Sequence, residues 1–170
     1  PVHLRPDGRG TVILDEVAAD APALASVASR GSVASFRVAS RTLRVDPGFL
    51  PRVLAAVDDE APGPDLVVFS EVAVTLVLPG TALETTLSDR LKAFAEVEVR
   101  DQRGIVCVVG HGLAREGAAR GRVMAALSAW DPELVALGGS ATSVAALVPE
   151  ARLDACVRAI HREFFEGAAA

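Results

Sequence analysis

Pro64-Asp65-Leu66-Val67 returns downstream as Pro132-Glu133-Leu134-Val135, and that repetition decides the fold. The agreement extends in both directions. Upstream, Arg52-Val53-Leu54-Ala55-Ala56 has a counterpart in Arg122-Val123-Met124-Ala125-Ala126, and downstream each copy runs through a β-rich stretch to a proline, Pro79 or Pro149. Three markers kept in order and spacing indicate an internal duplication, so each copy is read as one supersecondary unit.

Each copy reads strand, helix, strand, strand, helix. In the first, Ala34, Phe36 and Val38 alternate with Ser35 and Arg37, the period of a half-buried strand. Asp46-Pro47 offers an N-cap followed by proline at the first helical position. Phe49, Leu50, Val53, Leu54 and Val57 then fall on one helical face. The turn 61–64 ends that helix, and residues 66–69 and 72–78 are β-branched, strand-like runs. Thr81-x-x-Glu84 has the form of a capping box, with Leu83, Leu87 and Leu91 on the buried face of the helix it starts. Val97 and Val99 close the unit as a short strand. The second copy places strands at 105–109, 134–137 and 144–148, a helix lined by Val123, Met124 and Leu127, and a last helix with Leu153, Val157, Ile160 and Phe164 inward.

The second copy ends without a fourth strand, yet a two-helix antiparallel sheet needs one. Residues 23–28, ahead of the first copy, have no partner within it. They are expected to cross over and complete the second copy. The fold class is therefore α+β, two interleaved ferredoxin-like βαββαβ modules. The first spans 32–101, the second combines 20–31 with 102–166, and 1–19 form a linker.

Composition narrows the function. Over half of the 170 residues are hydrophobic (51%), enough for a sizeable core. The net charge is −5 and the basic residues are scattered singly, without the basic stripe of a nucleic-acid binder. No apolar run approaches membrane-spanning length. Cys107 and Cys156 sit far apart in apolar segments and read as buried thiols of a reduced, cytoplasmic compartment.

Gly110-x-Gly112 follows an apolar strand, but the next glycine, Gly117, misses the dinucleotide-fingerprint spacing. His111 and His161 lack a second ligand at metal spacing. Ser140 lacks an identifiable base. The RNA-recognition plan needs aromatics on its central strands, and here those strands are aliphatic apart from Phe69. The expectation is a chain with no catalytic residues, no metal and no cofactor.

Residues 65–74, Asp-Leu-Val-Val-Phe-Ser-Glu-Val-Ala-Val, resemble the D-L-x-x-T-S-E-V-S-V stretch of aspartokinase regulatory regions. Pro47-Gly48-Phe49-Leu50 resembles the start of their first regulatory helix. Gly138-Gly139-Ser140 with 144–149 is similar to their G-A-S…L-V-P segment, and 157–165 to their closing helix. The resemblance covers roughly residues 20–166 and implies two ACT domains that dimerise through the first. It further implies that a feedback amino acid binds at that interface and inhibits an N-terminal kinase domain, which in the family phosphorylates aspartate with ATP. Family members commonly carry Thr where Phe69 stands, Asn where Ser143 stands and, in lysine-responsive members, Met at the Leu43 position. No phosphate-cradling loop occurs in this chain. Its opening at Pro1 and its close soon after the last helix suggest a piece of a kinase, with no fused homoserine dehydrogenase.

The chemistry of an amino-acid ligand selects the site. Backbone N–H groups at a helix start suit its carboxylate, where Gly48 permits close approach and Phe49 and Leu50 follow. Carboxylates suit its ammonium, and Asp65, Ser70 and Glu71 are the candidates. The effector set implied by residues and resemblance together is Leu43, Asp46, Gly48, Phe49, Leu50, Pro64, Asp65, Phe69, Ser70 and Glu71. A second carboxylate favours lysine, with its two ammonium groups, over threonine. The different-class alternative is a stand-alone ACT-type ligand-binding or scaffold protein with no kinase partner.

Overall fold

The computed structural model describes residues 23–42, 46–58, 63–80 and 84–166. The expected 1–19 linker, Leu43, Thr81 and Leu83 lie outside the described residues. So does the 61–62 part of the first turn.

Six strands form one antiparallel sheet. In chain order the elements are β1 (Ser26–Ala39), α1 (Phe49–Asp58), β2 (Leu66–Phe69), β3 (Ala73–Pro79), α2 (Glu84–Lys92) and β4 (Glu96–Val109). There follow α3 (Gly112–Arg115), α4 (Gly117–Ser128), β5 (Leu134–Leu137), β6 (Ser143–Pro149) and α5 (Glu150–His161), which ends in one π-helical turn, Arg162–Glu166. The strand order is β2-β3-β1-β4-β6-β5.

The sheet differs from the expected set of short strands because two of its strands do double duty. β1 joins the upstream segment to the first strand of the first copy, and β4 joins the closing strand of that copy to the opening strand of the next. Residues 26–30 pair with 105–109, while 33–39 pair with 96–103, and the register shifts in between. At the shift Ser32 and Gln102 take φ of 54° and 52°, the left-handed region that L side chains rarely occupy. The extra backbone there is absorbed as a bulge, which bends and twists the sheet locally.

Three apolar clusters hold the fold. On one face, Phe36, Val38, Val74 and Leu76 pack beneath α1 and α2 with Val53, Leu87 and Leu91. Val106, Val108, Val144 and Ala146 pack in the same way beneath the helices of the second copy, with Val123, Leu153, Cys156 and Ile160. Cys156 is fully buried, and burial pushes its thiol up to about 11, which makes it a core residue.

The third cluster lies on the opposite face of the sheet. Val33, Val77 and Leu147 are buried there against Leu66, Ile105 and Leu134. The sheet therefore curls until β2 and β5, its two edges, approach one another across that face. This accounts for the run 72–78 being apolar on both sides. The helices cover one face of β3, and the other copy's strands cover the second.

Gly110-x-Gly112 has a packing role. A Cβ on Gly110 would stand 2.2 Å from the Ala23 carbonyl oxygen and 2.5 Å from Leu24 Cα. Gly112 donates its N–H to that same carbonyl at 2.9 Å. The two glycines let the backbone leading into β1 pass over the end of β4.

Gly110→Ala forces backbone against backbone and is expected to destabilise the chain by roughly 1–3 kcal/mol, the usual range for overpacking. Urea unfolding measures this. Gly121→Ala is the control, since a Cβ on Gly121 meets nothing within 4 Å.

Candidate functional site

One end of the sheet gathers most of the expected effector residues. Ala39 pairs with Ala73, so the connection after β1 and the turn between β2 and β3 emerge side by side. The Ser40 N–H donates to the Val72 carbonyl at 3.0 Å and ties the two together.

α1 begins with Asp46 as its cap. The Asp46 Oδ1 atom accepts the Gly48 N–H at 2.8 Å, and the Asp46 carbonyl accepts the Phe49 N–H at 3.0 Å. Pro51 has no N–H, and Leu50 N–H has no acceptor among the described residues, leaving one donor at the helix start. From Phe49 onward the first turn carries no acidic side chain, so the only carboxylate at the helix start is the capping Asp46. Phe49 contributes only backbone here. Its ring is buried in the first core, edge-on to Phe94 at 6.2 Å. A Cβ on Gly48 would meet just one atom, Asp46 Oδ1 at 3.1 Å.

The neighbouring turn is closed by Ser70. Its N–H donates to the Ala73 carbonyl at 2.8 Å, and its hydroxyl accepts the Ala73 N–H at 3.2 Å. That leaves Glu71 exposed at the tip. Beside it Val67, Phe69 and Val72 are large apolar side chains left exposed along the β2 edge, with Phe69 at 52%. Phe69 is thus half-exposed at the edge of the sheet and lines the groove between the two edge strands. On the concave side, β2 and β5 flank a groove of about 440 Å³ that includes Gly139 and Ser140.

Pro64 and Asp65 sit elsewhere. They precede β2 and so lie at the opposite end of that strand, roughly 13 Å from Phe69 at the usual rise per residue. Asp65 is ion-paired with Arg30, which the register places in the half of β1 that pairs with 105–109. The structure therefore brings Asp46, Gly48, Leu50, Ser70 and Glu71 to one end and leaves Asp65 at the other.

Two partnerships escaped sequence reading. Arg30 is one partner, and Glu133 supplies the other. Glu133 Oε1 accepts the Ser35 hydroxyl at 2.8 Å, and its Oε2 accepts Arg103 Nε at 2.8 Å, with Arg100 Nη1 3.6 Å away. The repeat held the clue, because Glu133 is the counterpart of Asp65. Each carboxylate reaches an arginine in the opposite half of the sheet.

No protein-family model matches the chain. Aspartokinase 2, chloroplastic, of Arabidopsis thaliana is 24% identical over 174 residues, covering 95% of this chain and 32% of its own length. The chain thus spans about a third of the length of that relative. Aspartokinase III of E. coli, solved in complex with lysine and aspartate, superposes with a TM-score of 0.77 at 24% identity, over 88% of this chain and 35% of that one. The regulatory subunit of aspartate kinase from Thermus flavus superposes with a TM-score of 0.71 at 18% identity, over 84% of this chain and 99% of that one. The fold is that of the regulatory, ACT-type region of aspartokinases.

Glu133 gives this arrangement a measurable signature. Burial pushes its carboxyl up, but hydrogen bonds from Arg103 and Ser35 and the charges of Arg100 and Arg103 outweigh burial and hold it below the ordinary value. A carboxyl depressed in the folded state stabilises fully above its unfolded value, and that contribution disappears as pH falls through the folded one. Glu133→Gln is expected to cost about 1–3 kcal/mol at neutral pH. In urea unfolding, the gap between wild type and variant should close on acidification below the ordinary carboxylate range. A gap independent of pH would assign the loss to shape alone.

Proposed function

We propose that this chain is the effector-sensing regulatory part of an aspartokinase, built as two interleaved modules, and that it binds a feedback amino acid at the start of α1. Lysine is the first choice and threonine the second. The observation that carries this reading is the start of α1, where the Leu50 N–H has no acceptor among the described residues and lies beside the Asp46 carboxylate, with Glu71 exposed on the neighbouring turn.

A zwitterion suits that end. Its carboxylate meets the unpaired N–H and the positive end of the helix dipole. Its ammonium meets Asp46 or Glu71. A second ammonium, present in lysine, has the other carboxylate as partner, so the two acidic groups that favour lysine here are Asp46 and Glu71. Asp65 enters only for a ligand laid along β2, in competition with Arg30. Support for lysine also comes from the E. coli enzyme, whose structure holds that amino acid.

The exposed row of Val67, Phe69 and Val72 on an edge strand is the natural surface for a second copy, since unpaired edges with apolar side chains recruit partners. A homodimer through this edge would close the site from the other side. The separate kinase domain, which supplies aspartate phosphorylation in the relatives, would receive the signal.

Calorimetric titration with lysine, threonine and methionine tests the reading. Lysine is expected to bind in preference to threonine. Glu71→Gln should weaken lysine roughly tenfold to a hundredfold, the loss of one charge-assisted contact, with thermal melting unchanged. Phe69→Thr should weaken the dimer measured by light scattering. Absence of binding by all three amino acids at millimolar concentration would overturn the effector reading.

A further inference from the structure

The curled face of the sheet holds a second polar cavity, distinct from the helix start. It measures about 280 Å³ and is lined by Ser35, Arg37, Thr75, Glu98, Arg100 and Glu133. This is near the lower limit of known small-molecule sites, roughly 300 Å³ and upward. Thr75, Arg37 and Glu98 stand in one row across β3, β1 and β4, because Arg37 pairs with both Thr75 and Glu98 in register. Ser35, one residue pair along the same face, is 1% exposed and forms the floor with Glu133.

The ion pairs within this cluster leave one group over. Glu98 Oε1 is committed to Arg100, accepting its Nε at 2.8 Å and its Nη2 at 2.6 Å. Glu133 is committed to Arg103 and Ser35. Both lining carboxylates are therefore engaged by other arginines, and Arg37 has no ion-pair partner among the described residues. Arg37, itself exposed, lines the cavity beside Thr75, which is half-buried. A guanidinium in that position matches a carboxylate with two parallel hydrogen bonds.

The second half of the sheet has no such feature. By register, Cys107 opposite Ala145 stands where Arg37 stands opposite Thr75. The arginine is thus not required by the shared scaffold.

We infer that this cavity binds a small monocarboxylate, with Arg37 clasping the carboxylate and Thr75 donating a further hydrogen bond. The carboxylate takes up the one guanidinium left without an ion pair, whereas the ammonium of a zwitterion finds both lining carboxylates already engaged. The site is separate from the helix start and stands whether or not the effector reading does.

Amide chemical shifts of the full chain, followed during titration with sodium acetate or with glycine at constant ionic strength, test the inference. Saturable shifts are expected at Ser35, Arg37, Thr75 and Glu98, with acetate binding more tightly than glycine. Arg37→Gln should weaken acetate roughly tenfold or more. Arg37→Lys, which keeps the charge and loses the fork, should fall between the two and serves if the glutamine variant folds poorly. Glu71→Gln should leave acetate binding untouched. Shifts that never saturate, an Arg37→Gln affinity equal to wild type, or glycine binding as tightly as acetate would each overturn the proposal.

Discussion

Everything in this molecule depends on two long strands that pair with each other from end to end and each serve both halves of the sheet. A sheet of three strands and two helices leaves one edge of its core uncovered, and a fourth strand is needed to finish it. Here the first half closes with its own residues 96–103, and the second is completed by residues 26–30 from ahead of the first. β1 gives residues 26–30 to the second half and 33–39 to the first, and β4 gives 96–103 to the first and 105–109 to the second. The transition occurs where Ser32 and Gln102 adopt positive φ, a conformation that costs L residues about 1 kcal/mol or more. Local contacts offset that cost. Glu150 accepts both the N–H and the hydroxyl of Ser32, at 2.8 and 3.1 Å, and the Ser32 carbonyl accepts the Gly80 N–H at 2.7 Å. Neither half can unfold without removing a strand from its neighbour, so the two cores are expected to unfold as one cooperative unit.

Bending at these two points also decides what the other face of the sheet does. It brings Leu66 and Leu134 onto Val33, Val77 and Leu147, and it lets carboxylates just ahead of the edge strands reach arginines across the junction. These contacts are long-range and mixed in character. The apolar ones carry non-directional burial. The ionic ones are partly exposed and contribute modestly in energy, but they fix which strand end lies opposite which.

The parts of this arrangement legible in sequence were those with a local period. The alternation at 34–38, the stripe from Phe49 to Val57 and the duplicated Pro-acidic-Leu-Val corner each report on a single element, and the structure contains each of them. The crossover of residues 23–28 followed from counting strands against a rule of architecture. What periodicity could not reveal was continuity. A bulge at Ser32 leaves no signature in polar residues that serve equally as a turn, so one strand was read as two. Nor could it reveal partners. Asp65 carries a charge that suits a ligand as well as it suits Arg30, and the distinction lies in residues 35 positions apart along the chain. Of the expected site, the portion built on adjacent connections, Asp46 through Leu50 with Ser70 and Glu71, came together. The portion extrapolated along a strand, Pro64 and Asp65, did not, because the four residues of β2 carry the chain from one end of the strand to the other.

Duplication supplies two similar halves, and their differences locate the chemistry. A symmetric scaffold offers every site twice, once after each first strand. In the second copy, the connection after that strand is Gly110-His111-Gly112, and both glycines are pressed against the backbone at Ala23 and Leu24. Crossover makes this unavoidable, since the strand that completes the second half must enter over the end of β4. The connection there is spent on the chain itself. The first half receives its fourth strand from β4, which arrives from α2 through Ala93 to Ala95, and among the described residues no backbone packs against Gly48. The strand crossover therefore does more than complete two cores. By pressing the chain's own backbone onto one connection it makes the two halves differ, and the donor left at the start of α1 lies on the half whose edge strand presents Val67 and Phe69 to solvent, with Val72 beside it.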